Sequence, residues 1–169
     1  MIRIVIAEDQ ELLRGTITSI LNLEDDMEVV GQVKDAQEAL DLVHQLKPDL
    51  FIMDIEMLER DGPLESVQTV GCHLLVLTTF PKKGYLERAQ QFDAGGYLLK
   101  DSPSEELTSS IRSIVEGTRV YSPKLIEEDK ESQESQESQE SGSFHISHPQ
   151  GQTKNYFTMI MNKMKSPAG

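Results

Sequence analysis

Polar side chains stand directly after four apolar segments of the sequence. In chain order they are the acids Glu8 and Asp9 after the first segment, the acid Asp54 after the second, Thr78 after the third and Lys100 after the fourth. In an open parallel sheet the carboxyl ends of the strands form one crevice, where ligands bind. Carboxylates crowded together there need a hard divalent cation such as Mg²⁺. A carboxylate beside Mg²⁺, a hydroxyl and an ammonium can accept a phosphoryl group, so the pattern indicates a phospho-aspartate switch.

The segments that carry these residues alternate between strand-like and helix-like patterns over residues 1–126. This alternation predicts an α/β fold with a doubly wound, five-stranded parallel sheet. The expected strands are Ile2–Ala7, Glu28–Val33, Asp49–Asp54, His73–Thr78 and Gly96–Leu99. Each of the polar residues therefore ends a strand or directly follows one.

Boundary signals predict where several helices between these strands begin and end. The first helix is expected near residues 11–23. The second has Asp35 as its N-cap and Glu38 three residues later, which is a capping box. The fifth begins with a second capping box at residues 102–105, with proline at the first helical position, and Gly117 ends it.

Composition narrows the possible classes of protein. The chain has 169 residues and a net charge of −13, which argues against non-specific nucleic-acid binding by the whole chain. It contains no apolar run long enough to span a bilayer, and its first residues lack the layout of a signal peptide. Cys72 is the single cysteine, so no internal disulfide can form. These features predict a cytoplasmic protein without a membrane partner.

Four short segments match one protein family in their order and spacing: Ile6–Gln10, Ile52–Met57, Leu77–Phe80 and Gly96–Asp101. On these residues the chain resembles the receiver domains of bacterial two-component response regulators, most of all the subfamily with a LuxR/NarL-type helix-turn-helix. Within that subfamily, Leu21–Gly31 resembles the lipid-desaturase regulators. The resemblance covers residues 1–126, taken as one receiver domain, and implies a flavodoxin-like strand order 2-1-3-4-5 with helices on both faces.

The resemblance also implies roles for the acidic residues. Asp54 would accept a phosphoryl group from a sensor histidine kinase. Mg²⁺ would bind Asp9, Asp54 and the backbone carbonyl of Glu56, while Glu8 would act from the second shell. An alternative for Glu8 and Asp9 is a capping role at the first helix, which is compatible with metal binding.

Three further residues receive roles from the same resemblance. Lys100 would pair with Asp54 in the empty site and with a phosphoryl oxygen in the filled one. Thr78 would donate its hydroxyl to the phosphoryl group; its competitor is Thr79, and the family's spacing to the lysine selects Thr78. Tyr97 matches the rotating aromatic switch residue of the family, and the alternative is a half-buried strand tyrosine.

The sequence departs from the family pattern in the loops around the site. Leu58 stands where the family has proline, and Asp93 occupies a turn where glycine is usual. The third helix, expected after Gly62 over residues 63–70, is predicted to be short. These departures bear on loop stability and phosphorylation rate, and they leave the assignment of Asp54 unchanged.

The C-terminal part of the chain has a different composition. Residues 127–150 contain a Glu-Ser-Gln repeat and are expected to be a disordered linker. Residues 151–169 are taken as the remnant of a DNA-recognition helix, with Lys154 and Asn155 as candidate DNA contacts. The helices that precede such a helix in the LuxR/NarL-type domain are absent, and a recognition helix needs that scaffold to enter the major groove.

The predicted function is therefore that of a response regulator, not of an enzyme. The resemblance implies that it controls transcription, and it is expected to form a homodimer on phosphorylation. One alternative is an output-less receiver that acts as a protein-binding module or phosphate sink. A remote alternative is a haloacid-dehalogenase-like phosphatase, which also uses a nucleophilic aspartate and Mg²⁺. In that class the nucleophile usually ends the first strand, whereas Asp54 ends the third predicted strand.

Overall fold

A parallel β-sheet organises the computed structural model, which describes residues 1–61, 71–127 and 130. The six strands in this part of the chain are β1 (Ile2–Ala7), β2 (Met27–Val33), β3 (Leu50–Asp54), β4 (His73–Thr78), β5 (Gly96–Leu99) and β6 (Val120–Tyr121). Their order is β2-β1-β3-β4-β5-β6, and every neighbouring pair is parallel. The predicted order 2-1-3-4-5 is confirmed, while the predicted count of five strands omitted β6.

Among the described residues, five helices connect the strands: α1 (Glu11–Asn22), α2 (Ala36–Leu46), α3 (Ile55–Asp61), α4 (Tyr85–Gln91) and α5 (Ser104–Val115). Residues 123–127 are also helical. The helices cover both faces of the sheet, which is the arrangement that parallel sheets require. Side chains that alternate along β3 divide between two cores: Phe51 and Met53 belong to one, and Leu50 and Ile52 to the other.

The helix boundaries agree with the sequence signals at α2 and disagree at the start of α5. The Asp35 side chain accepts a hydrogen bond from Glu38 N at 2.8 Å, as an N-cap does. At α5 the predicted capping box is wrong, because Pro103 stands immediately before the helix and makes no side-chain cap. Gly117 follows the helix with φ of +99°, a conformation that only glycine adopts without strain.

Helix α3 begins directly after Asp54, where the sequence analysis predicted no helix. The short helix predicted over residues 63–70 lies outside the described residues. Leu58, which replaces the proline usual in the family, is fully buried inside α3. Its backbone N–H can take part in helical hydrogen bonding, whereas a proline at that position would have none.

Strand β6 escaped the sequence analysis because it has only two residues, both half-buried, and no alternating pattern. It extends the sheet beyond β5, with Gly96 paired to Val120 and Tyr97 paired to Tyr121. A Cβ on Gly96 would lie 2.5 Å from Ile114 Cδ1 and 3.2 Å from the carbonyl oxygen of Val120. The absence of a side chain at Gly96 therefore lets α5 and β6 pack closely on β5.

Candidate functional site

Three carboxylates meet at the carboxyl ends of β1 and β3, which are neighbours at the centre of the sheet. One ligand oxygen of each of Glu8, Asp9 and Asp54 lies within 4.8 Å of the other two. Glu8 is 2% exposed and Asp54 is 7% exposed, whereas Asp9 faces solvent. Three oxygen ligands at this spacing, with one side open, are a donor set that suits a hard cation such as Mg²⁺.

Lys100, directly after β5, brings a cation into this cluster. Its Nζ lies 2.6 Å from Glu8 Oε2 and also donates a hydrogen bond to Asp54 Oδ2. The lysine is only 4% exposed, and its backbone N–H donates to the carbonyl oxygen of Thr78 at 2.8 Å. The strand pairing of β4 with β5 thus fixes the backbone from which the ammonium reaches Asp54 at the end of β3 and Glu8 at the end of β1.

The charges of this cluster do not balance, since two buried carboxylates share one ammonium. Burial raises the pKa of Glu8 to about 7, although the neighbouring Lys100 opposes the rise. Burial by itself would lower the pKa of Lys100, but Glu8 and Asp54 outweigh it and raise the pKa above its usual value. Lys100 therefore stays charged, and Glu8 holds its proton more readily than an ordinary glutamic acid does.

Helix α3 supplies a second contact to Asp54. The backbone N–H of Glu56 donates to Asp54 Oδ1 at 2.8 Å, so both oxygens of this carboxylate accept hydrogen bonds. A carbonyl within an α-helix is directed towards the residue four positions on. Glu56 lies in the first turn of α3, and the contact of its carbonyl oxygen with a cation stays a prediction.

Thr78 ends β4 with its side chain almost completely buried, at 1% exposure. Its Oγ1 has no hydrogen-bond partner among the described residues. Such a buried, unsatisfied hydroxyl costs free energy, which is recovered when a ligand supplies the partner. Thr79, the competing candidate, lies beyond the end of the strand and is half-exposed.

Tyr97 lies on β5, three residues before Lys100. Its side chain is 1% exposed, so the alternative prediction of a half-buried strand tyrosine is wrong, because the residue is fully buried. Its ring meets that of Tyr121 edge to face, with 6.4 Å between the centroids and 89° between the planes. The partner ring stands on β6, the strand that sequence patterns did not indicate.

Sequence reasoning also missed a charged residue at the rim of the site. Arg60, in the last turn of α3, places Nη1 3.7 Å from Asp9 Oδ2, and both side chains are about half exposed. An exposed pair of this kind adds little to stability. The predicted capping role of Glu8 or Asp9 is wrong, because Gln10 occupies the N-cap position of α1 without a side-chain cap.

The remaining predicted residues lie in the C-terminal part of the chain. Lys154, Asn155 and the whole of residues 131–169 fall outside the described residues. In the part of the chain that the structure describes, no helix is long and apolar enough to cross a membrane.

Comparison with known proteins identifies the family. Residues 4–112 match the family model described as the response regulator receiver domain. The chain belongs to this family. The receiver is also similar to the transcriptional regulatory protein DesR of Bacillus subtilis, with 42% identity over 181 positions that cover 98% of this chain and 91% of DesR.

Two further comparisons define the subfamily and the extent of the match. The uncharacterised transcriptional regulatory protein YvfU of Bacillus subtilis is 48% identical over 74% of this chain and 64% of its own length. A crystal structure of a LuxR-family DNA-binding response regulator from Staphylococcus aureus superposes with a TM-score of 0.60 and 26% identity, covering 68% of this chain and 99% of that one. The receiver is therefore of the LuxR/NarL type, and this chain spans less than two thirds of YvfU.

Proposed function

We propose that this chain is the response regulator of a two-component phosphorelay, with Asp54 as the phosphoacceptor. The observation that carries the proposal is the position of Lys100, whose ammonium contacts Asp54 and Glu8 together at strand ends beside the unsatisfied hydroxyl of Thr78. An acceptor, a fixed cation and a spare donor are the parts that phosphoryl transfer requires.

In the proposed reaction a carboxylate oxygen of Asp54 attacks the phosphorus of a phosphohistidine. The new P–O bond forms an acyl phosphate as the P–N bond breaks, and the electron pair of that bond returns to the imidazole. Lys100 exchanges its contact with Asp54 for one with a phosphoryl oxygen, and Thr78 donates to another. Mg²⁺, held by Asp9 and Asp54 with Glu8 in the second shell, would supply the remaining positive charge at the transferring oxygens.

This reaction defines the proposed partners. A sensor histidine kinase supplies the phosphoryl group, and the receiver catalyses only its own phosphorylation and dephosphorylation. A homodimer formed on phosphorylation is the proposed active form, and the cytoplasm is the proposed location. A phosphatase of the haloacid-dehalogenase class is not favoured, because Asp54 ends β3 and not β1.

The proposal is tested by intact-mass measurement after incubation with acetyl phosphate and Mg²⁺. The wild-type chain should gain one phosphoryl group, and Asp54→Asn should gain none. Asp49→Asn is the matched control, because Asp49 lies just before the opposite end of β3 and is exposed. Full labelling of Asp54→Asn would overturn the assignment, and equal loss of labelling in both variants would show a general folding defect.

The output of the receiver is a separate proposal. The proposed domain boundaries give a receiver domain at residues 1–126, a linker at 127–150 and the remnant of a recognition helix at 151–169. The relative DesR is a transcriptional regulatory protein, which supports transcription control. However, the alignment with DesR runs over 181 positions while this chain has 169 residues, so part of DesR has no counterpart here.

The second candidate function is an output-less receiver that binds a protein or stores a phosphoryl group, because the sequence lacks the helices that precede the recognition helix in the LuxR/NarL-type domain. A gel-shift assay with promoter DNA separates the two candidates, using the whole chain with and without phosphorylation. A sequence-selective shift that persists at moderate salt supports transcription control through Lys154 and Asn155. No selective shift in either state supports the output-less receiver, since lysines alone make only salt-sensitive phosphate contacts.

A further inference from the structure

Arg60 places a second cation beside the acid cluster of the proposed site. Within that cluster, Lys100 contacts Glu8 and Asp54 from the buried side. The third acid, Asp9, forms an ion pair with Arg60, with 3.7 Å between Oδ2 and Nη1. Each of the three acids thus lies against a cationic side chain.

The two cations differ in how easily they can leave the cluster. The side chain of Lys100 is 4% exposed, whereas those of Arg60 and Asp9 are 56% and 48% exposed. Breaking a buried pair leaves an uncompensated charge in the interior, while the members of an exposed pair are hydrated again when they separate. Arg60 is therefore the cation that an incoming ion can displace.

Helix α3 holds Arg60 in this position through the two residues before it. Successive side chains of an α-helix point about 100° apart around its axis. Leu58 is fully buried in the core, and Glu59 Oε1 lies 3.2 Å from Nε of Arg88 on α4. With one side of α3 in the core and the next side tied to α4, the following residue is directed towards the end of β1, where Asp9 stands.

Asp9 is also a member of the donor set that suits Mg²⁺, since its ligand oxygen lies within 4.8 Å of those of Glu8 and Asp54. Two cations that share one carboxylate repel each other, and each weakens the hold of that carboxylate on the other. From these contacts we infer that Arg60 is an internal competitor of Mg²⁺ for Asp9. This inference deepens the proposed function and rests on the metal ligands assigned there. Arg60 raises the Mg²⁺ concentration that the receiver needs before it can be phosphorylated.

The weakness of an exposed ion pair limits the size of this effect. Because such a pair is separated at little cost, Arg60 lowers the affinity for Mg²⁺ by about 1.5- to 5-fold and does not block the site. Dissolved salt screens the pair, since the screening length falls from about 10 Å at 0.1 M to about 3 Å at 1 M. The competition is therefore strongest at low ionic strength.

The first measurement compares the dissociation constant for Mg²⁺ between the wild-type full chain and Arg60→Gln. The melting temperature is followed across a Mg²⁺ titration at constant ionic strength, and its rise gives the dissociation constant. Arg60→Gln removes the charge and keeps a polar side chain, so the dissociation constant should fall by about 1.5- to 5-fold. Without Mg²⁺ the two melting temperatures should be close, since an exposed pair adds little to stability.

Arg119→Gln is the matched control, because it makes the same change in net charge far from the site. The side chain of Arg119 is 59% exposed and forms an ion pair with Asp93 in the turn before β5. The next residue, Val120, begins β6 at the amino edge of the sheet, opposite the carboxyl edge that carries the acids. This variant should bind Mg²⁺ as the wild-type chain does.

The second measurement repeats the titrations at about 0.1 M and about 1 M KCl. The ratio of the wild-type dissociation constant to that of Arg60→Gln should approach one at the higher concentration, because screening removes the attraction between Arg60 and Asp9. A ratio above one that is equal at both concentrations would indicate an effect of packing and would overturn the competition.

The remaining outcomes separate this inference from the proposed function. An equal fall of the dissociation constant in Arg60→Gln and Arg119→Gln would overturn the inference, because net charge would then explain it. An unchanged constant in Arg60→Gln would overturn it as well. If Mg²⁺ leaves all three melting temperatures unchanged, the metal site fails and the inference fails with it. A chain that shows the expected difference in Mg²⁺ binding but gains no phosphoryl group would overturn only the proposed function.

Discussion

Lys100 and Glu8 form an ion pair inside the protein, with 2.6 Å between Nζ and Oε2 and both side chains almost fully buried. The same ammonium contacts Asp54, so one cation holds two acids that would otherwise repel each other. Glu8 follows the carboxyl end of β1 and Lys100 follows that of β5, and β3 and β4 lie between these two strands in the sheet. The pair therefore depends on the correct order of four strands.

Removal of the lysine is expected to destabilise the fold. Lys100→Met would leave two buried carboxylates without a cation, and breaking a buried pair in this way typically costs about 3–5 kcal/mol. Urea unfolding followed by circular dichroism gives the free energy of unfolding. The double variant Glu8→Gln with Lys100→Met should recover part of the loss, because it removes one of the two uncompensated acids.

The control for this experiment is Lys34→Met, since Lys34 is exposed. An exposed substitution of this kind is expected to change the free energy of unfolding by less than about 0.5 kcal/mol. Equal losses in Lys34→Met and Lys100→Met would contradict the importance of the buried pair.

Mg²⁺ is expected to raise the melting temperature. The acids Glu8, Asp9 and Asp54 repel one another, and a cation that binds only the folded state adds stability by mass action. At a tenfold excess of the ion over its dissociation constant, the gain is about 1.4 kcal/mol. Thermal unfolding across a Mg²⁺ titration measures the gain, and Asp9→Asn should weaken it. A melting temperature that stays constant over the titration, or an equal response in Asp9→Asn, would count against this metal site.

A pair of glycine substitutions should have opposite effects on stability. In Gly96→Ala the new Cβ would lie 2.5 Å from Ile114 Cδ1 and 2.8 Å from Leu75 Cδ1, and overpacking of this kind costs about 1–3 kcal/mol. Gly15→Ala lies in α1 with nothing within 4 Å of the added carbon, and is expected to stabilise the fold by about 0.5–1 kcal/mol. Urea unfolding of both variants distinguishes the signs, and a destabilised Gly15→Ala would show that α1 does not accommodate the added methyl group.

The rate at which the single cysteine is alkylated should keep rising with pH beyond the point where an ordinary thiol levels off. Burial raises the pKa of the Cys72 thiol to about 11, and only the thiolate reacts. The reaction rate with iodoacetamide should therefore rise about tenfold per pH unit between about pH 7 and pH 9, without levelling off. The chain unfolded in guanidinium chloride is the control, and its rate should level off near the ordinary thiol pKa of about 8.5. Levelling off in the folded protein at the same pH would contradict the burial of Cys72.

Local sequence patterns were sufficient for much of the sheet. Strands β1, β4 and β5 begin and end where the apolar runs predicted, because a strand buried on both faces is mostly apolar and polar residues mark its ends. The same rule marked Asp54, Thr78 and Lys100 at strand ends. Helix α2 followed its N-cap at Asp35, which is a signal contained in four consecutive residues.

Other features depended on contacts between residues far apart in the chain. Strand β6 forms because β5 offers an open edge and Gly96 leaves room beside it, neither of which is visible in the two residues Val120 and Tyr121. Helix α3, which the sequence analysis did not predict, packs Leu58 into a fully buried site in the core.

The sequence by itself thus determined the α/β class, the order in which strands and helices alternate, and the chemical groups at the carboxyl edge of the sheet, since each is a property of short segments. Only the tertiary structure decided that Lys100 reaches Glu8 as well as Asp54, that Thr78 Oγ1 has no partner among the described residues, and that Tyr97 is covered by Tyr121. These relationships depend on distances across the sheet, which are set by strand pairing and packing and have no counterpart in local spacing.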